Sequence, residues 1–316
     1  MLKDWEHDYK LLTSYQREPL PERYKKPRIE AMSFSEAFKD YVGQPRFKYF
    51  LNNSVEKAKS GGTVLHHCLF YGPAGTGKTE AAKCLAKCQG GRFIYKKASE
   101  ISSSKQAIKI IKSIQLGDVL LLDEIHSLKT RVAESFYSVM QDLEFENEKV
   151  PPFTLIGATT SGGKLPKPLL ERFIHSFTME PYTDEDISSL LVKKGTPLYV
   201  SQEISKRSFR NPRIAINYSI KYSENEENGI LDMFKRLEVD DIGITENHMK
   251  VLMYLFEFDR PVGFETISFH TGIDVHDLSN IYEKNLIELG FIERTPKGRV
   301  LTGKGRKFVK EKESKK

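Results

Sequence analysis

Between residues 63 and 160 the chain alternates two textures. Short unbroken apolar runs, Cys68-Leu69-Phe70-Tyr71, Val119-Leu120-Leu121-Leu122 and Phe153-Thr-Leu-Ile-Gly-Ala158, are separated by stretches such as 80–88 and 104–114, where apolar residues recur every three or four positions. A strand buried on both faces needs the first pattern, and a helix lying on it needs only one apolar stripe. With a further short strand at 92–95, the alternation predicts an α/β domain whose ligand sits at the carboxyl ends of parallel strands. Upstream, residues 1–30 are polar and interrupted by Pro19, Pro21 and Pro27, which predicts an arm without a core of its own. Helical patterning then starts near Ser33, with Ser35 as the expected N-cap, and passes Phe34, Phe38 and Tyr41 to a turn at Gly43. A second helix is expected over 46–59, ended by Gly61-Gly62.

Beyond Pro181 the strand signal fades. Thr183 before Asp184-Glu185-Asp186 marks a capped, acid-started helix, and further helices are expected at 201–208, 212–222 and 230–237. A last unit starts near Thr245 with helices at 246–256, 264–272 and 277–289. A strand at 291–294, the turn Thr295-Pro-Lys-Gly298 and a strand at 299–302 follow. Three helices and a β-hairpin make a winged helix. The Lys-rich end beyond Lys310 predicts a disordered tail.

The chemistry starts in the loop after the first apolar run. Gly72-Pro73-Ala74-Gly75-Thr76-Gly77-Lys78-Thr79 has the G-x-x-x-x-G-K-[ST] spacing, in which glycines let successive N–H groups face a polyphosphate at a helix start. Lys78 is placed for the β and γ phosphates, and the Thr79 hydroxyl for Mg²⁺. The run 119–122 ends in Asp123-Glu124. Asp123 is expected to hold the Mg²⁺ shell through water and Glu124 to orient and deprotonate the attacking water. Thr160, ending its strand, is the candidate for a polar group against the γ-phosphate. Arg172, in Glu171-Arg172-Phe173, sits where a ring-forming ATPase offers a cation to its neighbour's nucleotide, a surface arginine being the plain alternative. In Asn211-Pro212-Arg213, Pro212 takes the first helical position and Arg213 points toward the cleft. In the last hairpin Arg294, Lys297 and Arg299 suit phosphate contacts in duplex DNA, against the alternative of a solvated basic wing.

Composition adds little. The 316 residues suit two or three domains, and the net charge of +6 permits a nucleic-acid partner without requiring one. Nine Lys or Arg between 297 and 316 face only Glu311 and Glu313. Cys68, Cys84 and Cys88 form no C-x-x-C, and His66, His67 and His126 have no metal-ligand spacing, so both sets are expected to be structural. Met1 to Lys10 holds no apolar core of a signal segment and no run of about 18 apolar residues occurs, which predicts a cytosolic protein without a membrane span.

Taken together, Tyr41-Val-Gly-Gln44, the 70–79 loop, Asp118-Val-Leu-Leu-Leu-Asp-Glu-Ile-His126, the 153–160 strand, Pro168-Leu-Leu-Glu-Arg-Phe173, Pro212-Arg-Ile-Ala215, Arg260-Pro-Val-Gly263 and Gly290-Phe-Ile-Glu-Arg-Thr-Pro-Lys-Gly-Arg299 resemble the RuvB family of AAA+ ATPases, motors of Holliday-junction branch migration. The resemblance implies a P-loop AAA+ α/β core over 31–182, a small helical lid over 183–244 and a winged helix over 245–316 with a basic tail. It also implies ATP with Mg²⁺, Val42 near the adenine, Thr160 as sensor 1, Arg172 as arginine finger, Arg213 as sensor 2, and hexameric rings around duplex or four-way DNA. Three departures mark a divergent member. Only residues 143–150 stand where the family has a long hairpin that docks onto RuvA, which argues against a RuvA contact made that way. Ser161 and Leu170 replace family arginines, and the lid is short around 193–200. The missing hairpin favours an alternative, a loader that places another protein on DNA.

Overall fold

A computed structural model of the chain describes residues 30–314 apart from 147 and 225. The expected arm at 1–30 lies outside the described residues except for Glu30. The chain divides into two compact units, Met1–Tyr182 and Thr183–Lys316.

The first unit opens with α1 (Phe34–Ala37), a single turn capped by Ser33, whose hydroxyl accepts from the Glu36 N–H. Ser35, the expected cap, is inside the helix. The run does not continue as helix to Tyr41: it ends at Ala37, and the chain turns further on at Gly43 and Gln44, both left-handed. There follow α2 (Pro45–Ser60), β1 (Cys68–Tyr71), α3 (Lys78–Gln89), β2 (Phe93–Lys97), α4 (Ser104–Lys112), β3 (Val119–Asp123) and α5 (Thr130–Asp142). After the hairpin β4 (Glu144–Phe145) and β5 (Glu148–Lys149) come β6 (Thr154–Thr159), α6 (Lys167–Leu170) and β7 (His175–Thr178). The main sheet runs β2-β3-β6-β1-β7 with every pairing parallel.

Strand period two divides this sheet between two cores. Cys68, Phe70, Val119 and Leu121 face α1, α2 and α3, while Leu69, Leu120 and Leu122 face α4 and α5. Each fully buried leucine contributes roughly 1.5–3 kcal/mol. The cysteines are free thiols, with Cys68 and Cys88 buried in the first core and Cys84 packed against it, and burial pushes the Cys88 thiol up to about 11.

Between α5 and β6, where only residues 143–150 were expected in place of a long hairpin, the chain forms a hairpin. It is short, pairing Glu144 with Lys149 and Phe145 with Glu148, and the Val150 N–H closes its base on the Leu143 carbonyl at 2.7 Å. Leu143 and Glu146 take left-handed conformations that compress it, which is why the sequence reads as a bare connection.

In the second unit α7 (Asp184–Lys193) carries a capping box from Thr183 and Asp186, and α8 (Leu198–Arg207), α9 (Pro212–Ser223) and α10 (Gly229–Arg236) follow. The winged helix comprises α11 (Glu246–Phe256), α12 (Phe264–Thr271) and a third helix. That helix is built of α13 (Val275–Asp277), a π-helical segment (Leu278–Glu283) and α14 (Lys284–Glu288). The wing is β8 (Ile292–Thr295) paired antiparallel with β9 (Gly298–Leu301). Its core gathers Leu252, Leu255, Ile267, Leu286, Phe291, Ile292 and Leu301.

The C-terminal stretch corrects a second expectation. Instead of a tail beyond Lys310, α15 (Gly303–Glu313) is capped by Thr302, buries Val309 and stacks Phe308 on Phe291 with 4.5 Å between ring centroids. Its lysines lie mostly on the outer face, so composition alone reads as disorder. Lys312 ties the end of the helix to Asp240 at 2.7 Å. Among the described residues no helix is long and apolar enough to cross a membrane.

Candidate nucleotide site and nucleic-acid interface

The loop 72–79 joins β1 to α3 at the carboxyl edge of the sheet. Gly75 and Gly77 have φ of 84° and 88°, where a side chain would be strained. Gly77 is constrained twice, because a Cβ there would lie 2.7 Å from the hydroxyls of both Tyr41 and Tyr182. Lys78 is buried, and its ammonium donates to the carbonyls of Gly72 at 2.8 Å and Pro73 at 2.7 Å. The Thr76 hydroxyl donates to the Pro73 carbonyl at 2.9 Å. The loop is thus closed around its own cation, with Thr79 half-buried in the first turn of α3.

Tyr41 and Gln44 of the Tyr41-Val-Gly-Gln44 motif, joined by Tyr182, which no motif marked, shape one flank. The Tyr41 hydroxyl donates toward the carbonyls of Thr76 and Gly77 at 3.4 and 3.3 Å, and burial together with Tyr182 pushes its phenol above the ordinary value. Gln44 pairs with the backbone of Glu180 in both directions, its amide nitrogen 2.6 Å from the carbonyl and its oxygen 3.0 Å from the N–H. That pair pins the segment holding Tyr41 and buried Val42 to the chain just before Tyr182. No short motif announces it, because the partners lie 136 positions apart.

The two carboxylates lie two strands away, since β6 separates β3 from β1, which is about 10 Å at ordinary strand spacing. Asp123 accepts from the Glu124 N–H at 3.0 Å and from the Tyr95 hydroxyl at 3.1 Å. Burial and the neighbouring Asp123 charge raise the Tyr95 phenol. A carboxylate has about four lone-pair sites, so Asp123 keeps acceptor capacity. With the Thr79 hydroxyl it offers the hard oxygen donors that suit Mg²⁺, which takes few protein ligands. The described residues hold no cluster of three or more His, Cys, Asp or Glu that would suit another metal. Glu124 is left-handed with φ 50°, exposed, and 3.9 Å from the Lys97 ammonium.

At the end of β6, Thr159 is buried and engaged with His126 Nδ1 at 2.9 Å and with the Ser161 N–H at 3.0 Å. Its carbonyl accepts from the Gly72 N–H at 3.2 Å, tying this strand to the start of the loop. Thr160, the predicted residue, follows the strand end and is exposed. His67 is buried with Nδ1 accepting from the Leu155 N–H at 2.9 Å, a structural arrangement.

Arg172 is folded back on α5 and α6. It donates to the Pro168 carbonyl at 2.6 Å, the Tyr137 carbonyl at 3.4 Å and the Gln141 side-chain oxygen at 3.3 Å, with its guanidinium 4.4 Å from the Tyr137 ring centre. Arg213 belongs to the second unit, where it is exposed in the first turn of α9; the cap there is Asn211, whose side chain accepts from the Arg213 N–H at 2.9 Å.

The wing residues divide. Lys297 stands exposed in the two-residue turn between β8 and β9. Arg294 and Arg299 instead share the buried carboxylate of Glu283, at 2.7 and 2.6 Å. Glu283 carried no signal in the sequence, because it reads as one more charge on a helix.

Residues 35–179 match the family model of the Holliday junction DNA helicase RuvB P-loop domain, and residues 241–310 that of the RuvB C-terminal winged helix domain. The chain is 34% identical over 309 residues to the Holliday junction branch migration complex subunit RuvB of Fusobacterium nucleatum, covering 88% of this chain and 93% of the relative. With the subunit of the same name from Limosilactobacillus reuteri it shares 30% identity over 326 residues, covering 94% and 95%. Among solved structures it is similar to the Thermotoga maritima RuvB Holliday junction branch migration motor, with a TM-score of 0.75 and 31% identity, over 85% of this chain and 95% of that one.

Proposed function

The chain belongs to the RuvB family of AAA+ ATPases, and from that premise we propose that it is a motor that uses ATP to drive branch migration of Holliday-junction DNA. The observation that carries this is the joint presence, in one chain similar to its relatives over nearly their whole length, of the phosphate loop with its Asp123-Glu124 pair and a winged helix with a cationic wing.

On this reading the N–H groups of 72–79 receive the polyphosphate, and Lys78 leaves the Gly72 and Pro73 carbonyls for the phosphates. In that exchange ion pairs with phosphate replace bonds from the ammonium to uncharged carbonyls. Val42, with Tyr41 and Tyr182 beside it, lines the base. Thr79 and Asp123 would hold Mg²⁺, which would supply positive charge against the phosphates. Glu124 takes the proton of the attacking water, Thr160 contacts the γ-phosphate as sensor 1, and Arg213 reads it as sensor 2. Arg172 serves a neighbouring copy, which requires it to leave the Tyr137 ring. A hexameric ring around duplex DNA supplies those neighbours, and 31–182, 183–244 and 245–316 act as motor core, lid and DNA-binding domain.

A loader would share the ATP site, and the long hairpin whose absence favoured it is replaced by a short one. The purified full chain, given Mg²⁺ and ATP, should separate the arms of a synthetic four-way junction with DNA-stimulated hydrolysis. Robust DNA-stimulated hydrolysis with no junction movement at any protein concentration would leave the loader instead.

A further inference from the structure

Glu283 ends the π-helical segment under the wing, and its side chain is 2% exposed. One oxygen, Oε1, accepts from Arg294 Nε at 2.8 Å and from Arg299 Nε at 2.6 Å, while Oε2 accepts from Arg294 Nη2 at 2.7 Å. Arg299 is also pressed on the Phe264 ring, 4.5 Å from its centre. Burial pushes the Glu283 carboxyl up, but the hydrogen bonds from the two arginines outweigh it and hold the group below the usual carboxylate range. A buried carboxylate is tolerable only with partners of this kind.

The grip is one-sided. A guanidinium is a rigid fork of five N–H donors. Glu283 takes the Nε edge of both forks, and among the described residues Arg294 Nη1 and both terminal nitrogens of Arg299 have no hydrogen-bond partner. The Arg294 side chain is 56% exposed, so its outer edge is open to a ligand.

We infer that Glu283 is a positioning residue for DNA, locking Arg294 and Arg299 by their inner edges so that their outer edges form a preset two-arginine site for backbone phosphates. The inference rests on reading the wing as a DNA surface. Freezing two long side chains on binding costs entropy, and here folding has already fixed them. Simple charge arithmetic gives the opposite expectation, because a carboxylate beside two cations weakens their attraction for phosphate.

That opposition makes the test. Binding of the full chain to a fluorescently labelled duplex is measured by anisotropy across a salt series for the wild type, Glu283→Gln, Arg294→Lys and Arg294→Ala. Glu283→Gln raises the net charge of the wing by one and keeps the side-chain shape. If Glu283 positions the arginines, it nevertheless binds about tenfold more weakly and its salt dependence flattens by roughly one phosphate contact. Arg294→Lys keeps the charge without the fork and weakens binding similarly. Tighter binding with a steeper salt slope in Glu283→Gln, or wild-type affinity in Arg294→Lys, overturns the inference. Unchanged affinity in Arg294→Ala removes the wing as a DNA surface and the inference with it. Thermal melts accompany each variant; should Glu283→Gln fail to fold, the half-exposed Arg294→Lys decides.

Discussion

On the proposed function the phosphate loop region and the wing both offer cations to phosphate, and they keep those cations on different partners. Lys78 donates to the carbonyls of Gly72 and Pro73, and Arg172 to those of Pro168 and Tyr137. Arg294 and Arg299 share an ionised carboxylate. All of these bonds have an ionised donor, but only the carboxylate adds the attraction of an opposite charge. A carbonyl therefore yields its cation to an arriving phosphate, whereas a buried carboxylate retains it. On that function the residues proposed to travel during an ATP cycle rest on partners they can leave, and those proposed to present a fixed surface rest on one they cannot.

The largest effect expected from this difference lies at Arg172. Arg172→Ala should lower turnover by about 10³- to 10⁵-fold, the span associated with arginine fingers, while ATP affinity measured by equilibrium binding stays at the wild-type value. Wild-type turnover in that variant would reduce Arg172 to a packing residue on the Tyr137 ring.

A second effect is common to both regions. Burial pushes His67 in the first unit to about 3 and His248 in the second to about 4. Unfolded histidine takes up a proton near 6.5, so between about pH 6.5 and 4 the unfolded state binds more protons and stability falls with falling pH. The loss is roughly 3 kcal/mol for His248 and somewhat more for His67, and neither contributes above about pH 7. Thermal melts from pH 7.5 to 4.5 should show the decline, and His248→Gln should flatten its part in the second unit.

The smallest effect tests the comparison at its root. Gln141→Glu puts a carboxylate where a neutral oxygen now accepts from Arg172, making that region resemble the wing. An exposed pair adds roughly 1 kcal/mol at most, so turnover should slow about fivefold with ATP affinity unchanged. Turnover equal to or above wild type would show that the partner does not restrain Arg172.

What could be read from the sequence follows the reach of each interaction. The 72–79 loop, the β3 run with Asp123-Glu124 and the α7 cap are written in neighbouring residues, and they stand where the pattern puts them. Residues joined across the chain were invisible, such as Gln44 with Glu180 or Thr159 with His126, because nothing local specifies the partner. Composition misled in α15, where lysines on the outer face hide Val309 and Phe308 on the inner one. The β4–β5 strands were not legible, since strands of two residues carry no periodicity. In the wing the sequence showed the two arginines but not the Glu283 beneath them, and their cation count alone overstates the wing's net charge.

Completion of the ATP site by a neighbouring copy is measured most directly by mixing two inactive variants. Glu124→Gln keeps the arginine and lacks the base; Arg172→Ala keeps the base and lacks the arginine. If Arg172 acts across a subunit boundary, random mixing at equal amounts restores turnover at about a quarter of the sites, where an Arg172→Ala subunit meets the arginine of a Glu124→Gln neighbour. Turnover that stays at the level of the separate variants at every mixing ratio would contradict a shared site.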